Sequence, residues 1–203
     1  MSDPDFLDDL TAERTEANPA FPAMLDAAAG RQALARRIFE AAHLTGEFRL
    51  RSGATSDEYF DKYLFESDPA LLADIAEALA SLLPAGIDAV AGLELGGVPI
   101  ATMVSQVSGI PSRFVRKQAK EYGTRRLAEG GDVDGLRLVA IEDVVTSGGQ
   151  VIESCDALRA AGATVTSVLC VVDREAGGSD ALAAYGLALS ALFTASQLRA
   201  ANE

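Results

Sequence analysis

The 203-residue chain has no tryptophan, one histidine (His43), two cysteines (Cys155 and Cys170) and three lysines (Lys62, Lys117 and Lys120), the other basic residues all being arginine. A lone histidine with no cysteine or second histidine beside it excludes the usual zinc-ligand spacings. It falls near the end of a helical pattern, where a helix-terminal or surface role is expected. The cysteines form no CxxC and sit in apolar patterns, as buried reduced thiols do. Neither GxxxxGK[ST] nor GxGxxG occurs, and Gly130 to Gly135 is followed by Leu136 and Arg137. Nucleotide triphosphatase and dinucleotide-dependent dehydrogenase readings therefore lose their main support. The longest apolar stretch, Ala181 to Ala195, is too short and too interrupted by Gly186 and Ser190 to span a bilayer. The amino-terminal MSDPDFLDDL lacks the basic and apolar regions of a signal peptide. Basic residues number 17 against 30 acidic, a formal net charge of −13, whereas nucleic-acid binding needs a basic footprint. Salt adaptation and a merely acidic proteome both fit that balance. The expectation is a soluble, cytoplasmic protein with no nucleic-acid or membrane partner.

What is present points to one folded domain over 1–203. Hydrophobic residues make up 49%, which excludes a disordered or fibrous chain. About 1–65 reads as amino-terminal helices and hood strands, and about 66–203 as an α/β core. Gln32 to Leu44 has a helical apolar face, Phe48 and Leu50 alternate with charged residues, and Tyr59, Phe60, Tyr63 and Phe65 form a β-like run. From Asp68-Pro69, an N-cap and first-turn proline, helices and strands alternate. Strands are predicted at Asp88 to Leu93, Ser112 to Val115, Leu136 to Ile141, Thr164 to Val172 and Leu187 to Phe193. Helices are predicted from Asp68, from Pro99 to Val107, from Gly149 to Ala161 and near Ala181 to Tyr185. Such alternation predicts a mostly parallel central sheet with helices on both faces, binding ligands outside the carboxyl ends of its strands.

Four segments carry candidate chemistry, and each follows a strand. In LVAIEDVVTSGG, Glu142 and Asp143 are expected at a strand end, flanking a crevice because alternate side chains point to opposite faces. Thr146, Ser147, Gly148 and Gly149 then open a helix whose backbone amides suit an anion. A phosphate cradle beside two carboxylates matches a sugar phosphate; the alternative is a helix cap beside solvated acids. Arg116 to Arg126 holds five basic residues against Glu121, so this polar, glycine-bearing loop suits a compact polyanion, unless it is simply a solvated loop. GLELGGVPI places Gly96 and Gly97 before Pro99 as a second anion nest, a weak signal by itself. In VVDREAGG, Arg174 could offer a guanidinium fork to a carboxylate-bearing ligand, although on these residues alone a salt-bridged surface pair with Asp173 is the better reading.

The ordered set RSGATSDEYFDKY, GLELGGVPIA, RKQAKEYG, EDVVTSGG and VVDRE resembles the type I phosphoribosyltransferase family, and within it the orotate phosphoribosyltransferases. The likeness implies transfer of a phosphoribosyl group from 5-phosphoribosyl 1-diphosphate to orotate, giving orotidine 5′-monophosphate and diphosphate in pyrimidine biosynthesis. By the same likeness Lys117, Lys120 and Asp143 are catalytic. Contacts to phosphoribosyl diphosphate come from Arg116, Lys117, Lys120, Tyr122, Glu142, Asp143, Val144, Val145, Thr146, Ser147, Gly148, Gly149, Glu94, Gly96 and Gly97. Orotate falls to Arg174, Thr146, Arg51 and Ser52. The implied cofactor is Mg²⁺, held mainly by substrate with Asp143 contributing through water and no direct protein ligand. A homodimer is implied, with loop 116–131 serving the neighbouring site. Many members carry lysine where Arg51 and Gly96 stand and histidine where Tyr122 stands, so transfer to another base, or a non-catalytic sensor of phosphoribosyl diphosphate, is the alternative.

Overall fold

A computed structural model describes residues 28–49, 53, 55–117 and 127–203. Helix α1 (Ala28–Ala42) buries Leu34, Ala35, Ile38 and Ala42 and is followed at once by an antiparallel pair, β1 (His43–Arg49) and β2 (Thr55–Phe60). His43 thus opens a strand rather than ending a helix, stacked on Phe39 with ring centroids 4.6 Å apart and bonded to Glu58 Oε2 at 2.9 Å. The β-like reading also ends early, because Tyr63 and Phe65 lie in a short helix, α2 (Lys62–Ser67). Asp61 starts it by accepting the Tyr63 N–H at 3.1 Å, and the turn carries Phe65 into full burial beside Phe60.

Helix α3 (Pro69–Ala80) begins where Asp68-Pro69 predicts. The Asp68 carboxylate accepts the Ala70 and Leu71 amides, each at 2.9 Å, and Leu71, Leu72, Ile75, Ala76 and Leu79 are buried. Each fully buried leucine or isoleucine contributes roughly 1.5–3 kcal/mol. The core then runs β3 (Ala89–Leu93), α4 (Gly97–Ser108), β4 (Ser112–Val115), β5 (Ala128–Glu129), β6 (Arg137–Val145), α5 (Gly149–Ala160), β7 (Thr164–Asp173), α6 (Gly178–Ala184), β8 (Ala188–Thr194) and α7 (Ala195–Ala200). The six-stranded sheet has the order β5-β4-β3-β6-β7-β8, parallel except where the two-residue β5 pairs antiparallel with β4.

Both faces are covered, as nearly continuous apolar strands require. Val90, Val139 and Ile141 turn toward α1, α3, α4 and α7. Their neighbours Ala89, Leu138 and Ala140 turn toward α5 and α6, where Cys155 and Cys170 are buried free thiols. Burial pushes the Cys155 thiol up to about 12 and raises Cys170 as well, so neither is a ready nucleophile. No helix among the described residues is long and apolar enough to cross a membrane.

Candidate active site

Chain direction across the sheet reverses between β3 and β6: β4 follows β3 on one side, and β7 and β8 follow β6 on the other. A crevice opens beyond the carboxyl ends at such a switch point. The β3–β6 pairing ends at Gly92 and Ile141, whereas β6 stays paired with β7 as far as Val145 and Asp173. The prediction that the strand stops at Ile141, with Glu142 and Asp143 flanking a crevice where it ends, is therefore corrected. Both acids lie inside a longer strand, Glu142 8% and Asp143 0% exposed. The solvated alternative fails with it.

Two turns border the crevice. Beyond β3, Glu94-Leu95-Gly96 leads into α4 through a cis Glu94–Leu95 bond, and the helix starts at Gly97, two residues before Pro99. Beyond β6, Thr146 and Ser147 are exposed and Gly148 caps α5 in the left-handed region at φ 78°, a conformation that favours glycine. A β-carbon on Gly96 would collide with the Asp143 carboxylate and lie 2.7 Å from Glu66 Oε1. The glycines of this turn thus let backbone close directly over buried acid.

Around Asp143 the acids fold back on their own chain. The Asp143 amide donates to Glu142 Oε1 at 3.0 Å and the Val144 amide to Asp143 Oδ1 at 2.5 Å. Two further groups come from α2, and the pattern analysis missed both. Lys62 Nζ lies 2.5 Å from Asp143 Oδ2, and Glu66, 8% exposed, faces the same carboxylate. Glu66 Oε1 and Asp143 Oδ2 have no hydrogen-bond partner among the described residues, the lysine contact being an ion pair without hydrogen-bond alignment. Burial, reinforced by the Asp143 charge, raises the Glu66 carboxyl to about 8, and burial with the neighbouring Asp143 side chain holds Glu142 well above the usual carboxylate range, against the opposing pull of the Asp143 amide. Burial works against the Lys62 ammonium, but pairing with Asp143 outweighs it and raises the group. A cationic partner, beside acids whose carboxyls are raised toward the protonated form, lets this much carboxylate remain buried. The sequence did hold a signal: Lys62 and Glu66 are spaced i, i+4, which on a helix puts them on one face.

At the rim, the Lys117 amide donates to Glu94 Oε2 at 3.2 Å, tying the start of the basic loop to the turn after β3. Arg116 pairs with Glu129 at 3.4 Å. Lys120 and Tyr122, like Arg51 and Ser52, lie outside the described residues. Arg174 does not pair with Asp173 in the way the simpler reading had it. Its amide donates to Val145 O at 2.9 Å and its guanidinium stands 5.8 Å from the Phe60 ring centroid. With Phe60, Tyr59, Val172 and Arg199 it lines a cavity of about 200 Å³ between the β1–β2 hood and α7.

A family model described as the phosphoribosyl transferase domain matches residues 65–185. The chain is 55% identical over 170 residues to the orotate phosphoribosyltransferase of a Nocardioides species, covering 84% of this chain and 95% of that relative. The chain belongs to the orotate phosphoribosyltransferase family. The structure of the Mycobacterium tuberculosis H37Rv orotate phosphoribosyltransferase with Fe(III) dicitrate aligns at TM-score 0.76 and 32% identity, covering 83% of this chain and 98% of that one. The same bacterium's enzyme in complex with 5-phospho-α-D-ribosyl 1-diphosphate aligns at TM-score 0.72 and 28% identity, with the same coverage. The parallel sheet with helices on both faces is that of the type I phosphoribosyltransferases, as the motif order implied. Against that family pattern, the fold gathers Glu94, Gly96, Gly97, Glu142, Asp143 and the 144–149 segment about one crevice.

Proposed function

We infer that the chain transfers the phosphoribosyl group of 5-phosphoribosyl 1-diphosphate to orotate, forming orotidine 5′-monophosphate and releasing diphosphate, a step of pyrimidine biosynthesis. The observation that carries this is the buried Glu142–Asp143 pair between two glycine turns at the β3/β6 switch point, in a chain 55% identical to an orotate phosphoribosyltransferase.

The chemistry follows from the side chains. Asp143 and Glu142 hold the ribose hydroxyls, burial setting the Glu142 carboxyl above the usual carboxylate range. Backbone amides of 144–149 at the start of the twelve-residue α5 bind the 5′-phosphate. Arg174 pairs with the orotate carboxylate in the hood cavity, where Phe60 supplies a flat apolar face for the base. As the anomeric carbon–oxygen bond breaks and a bond to the base nitrogen forms, positive charge grows on the ribose and negative charge on diphosphate. Fixed charges aimed at both, in a site closed to water, stabilise that transition state. Lys117, with Lys120, brings ammonium groups to the leaving diphosphate from the basic loop, closing it as a lid.

Mg²⁺ fits this donor set. Asp143, whose Oδ2 is paired with Lys62, and Glu94, half-buried at the adjoining turn, are hard oxygen donors of the kind Mg²⁺ reaches through water. When bound with the substrate, the ion would neutralise charge developing on the diphosphate. A homodimer in which loop 116–131 reaches the neighbouring site belongs to the same reading.

The test is incubation with 5-phosphoribosyl 1-diphosphate, Mg²⁺ and single bases. Orotate is expected to disappear as orotidine 5′-monophosphate accumulates. Orotate left intact while another base is consumed, or ligand binding with no turnover of any base, would overturn the reading.

A further inference from the structure

We propose that Lys62 is a diphosphate-binding residue, reaching over the Gly96 turn from the hood helix to supply the cation that the turn itself lacks. The proposal rests on the phosphoribosyl-transfer reading above and deepens it by adding a residue no motif assigned.

The turn at 94–97 closes on buried acid. A side chain at Gly96 would have to displace the Asp143 carboxylate, with Glu66 directly behind it, so in this arrangement the turn carries no positive group. Left alone, the pocket would present the Asp143 carboxylate with Glu94 at the rim and no positive charge to attract a polyanion. Lys62 changes this from outside the turn. As the first residue of α2, fixed by the Asp61 cap, it places Nζ 2.5 Å from Asp143 Oδ2.

Two properties separate this pair from a purely structural ion pair. The lysine side chain is 34% exposed while Asp143 is fully buried, so the ammonium forms the solvent-facing lid of the acid cluster rather than its interior. An ammonium also carries three N–H donors. None of them is aligned in a hydrogen bond to Asp143, which the ammonium meets as an ion pair, so they are available to ligand oxygens. An anion held there would sit between Lys62 and the ribose hydroxyls that Asp143 accepts, the position of the diphosphate on the anomeric carbon. A compact ammonium fits the narrow gap better than a planar guanidinium, and Lys62 is one of three lysines in a chain that otherwise uses arginine.

The experiment is calorimetric titration of wild type and Lys62→Gln with inorganic diphosphate, 5-phosphoribosyl 1-diphosphate and orotidine 5′-monophosphate, all with Mg²⁺. The variant should bind the first two about tenfold or more weakly, the scale of a lost charged hydrogen bond, and the monophosphate, which has no diphosphate, about as well as wild type. Unchanged affinities, or an equal loss for all three ligands, would overturn the assignment. Because Lys62→Gln leaves Asp143 buried without its cation, wild-type protein supplies a second readout: peptide-resolved reductive methylation of lysines. Diphosphate should slow labelling of Lys62 and orotate should not; labelling indifferent to diphosphate overturns the proposal even where the variant fails to fold. Wild-type protein that binds no 5-phosphoribosyl 1-diphosphate would instead overturn the underlying functional reading.

Discussion

Asp143 is fully buried, pressed against Gly96, and held between an ammonium and a carboxyl group that keeps its proton. Replacing it with asparagine keeps the shape but weakens its bonds to ribose hydroxyls, so kcat/KM for 5-phosphoribosyl 1-diphosphate should fall about 10- to 100-fold, equivalent to roughly 1.5–3 kcal/mol. Steady-state kinetics at saturating orotate measure this, and unchanged kinetics would remove the residue from the site. Glu66 makes a second, pH-dependent prediction for the unliganded protein. Its carboxyl titrates near 8 in the fold against 4.5 ordinarily, so between those values the native state binds more protons than the unfolded chain. The stabilisation is present in full below about pH 4.5 and is lost as pH rises toward 8, with Glu142 acting in the same direction. Tm should therefore decline from pH 5 to 8, and Glu66→Gln should flatten that decline; an unaltered slope would show that the proton resides elsewhere.

Among the elements, the turn into α5 and the start of the basic loop respond differently to substitution. Gly148 at φ 78° faces Gly178 O and Leu182 at 3.2 and 3.3 Å from a built β-carbon. Gly148→Ala should cost about 1–2 kcal/mol for a left-handed alanine, visible in urea denaturation, with weakened substrate binding as the loop shifts. Lys117 is exposed and tied through its backbone to Glu94. Lys117→Ala should leave Tm unchanged while turnover falls, because an exposed side chain adds little to folding. A large fall in Tm with activity intact would mark the segment as structural. Elements also show where pattern reading succeeded. Helix α3 was legible because Asp68 and Pro69 are local signals acting on their own helix. Helix α2 was not: Tyr59, Phe60, Tyr63 and Phe65 read as a β-like run, and only the Asp61 cap and the burial of Phe65 decide for a turn of helix.

At the scale of the whole molecule, a loop serving a neighbouring site predicts complementation. Lys117→Ala and Asp143→Asn proteins, each of low activity, should regain about a quarter of wild-type activity when mixed and allowed to exchange subunits, since half of a random mixture is mixed dimer with one intact site each. No recovery on mixing, with exchange verified, would place loop and pocket in the same subunit. The positions of the acids also belong to this scale. The crevice was legible as a rule about strand ends, but its depth was not, because β6 continues along β7 after β3 has ended.

The order of strands and helices, the two glycine turns and the hydroxyl-rich start of α5 were written in local sequence, because caps, apolar runs and left-handed glycines act over a few residues. The sequence also determined the chemistry on offer: two adjacent carboxylates, a basic loop, an arginine after a strand. Tertiary structure alone decided which carboxyls are raised and which cation meets Asp143. Those outcomes depend on desolvation and on packing a hood helix against strand ends far away in the chain, and neither is a property of any short stretch of residues.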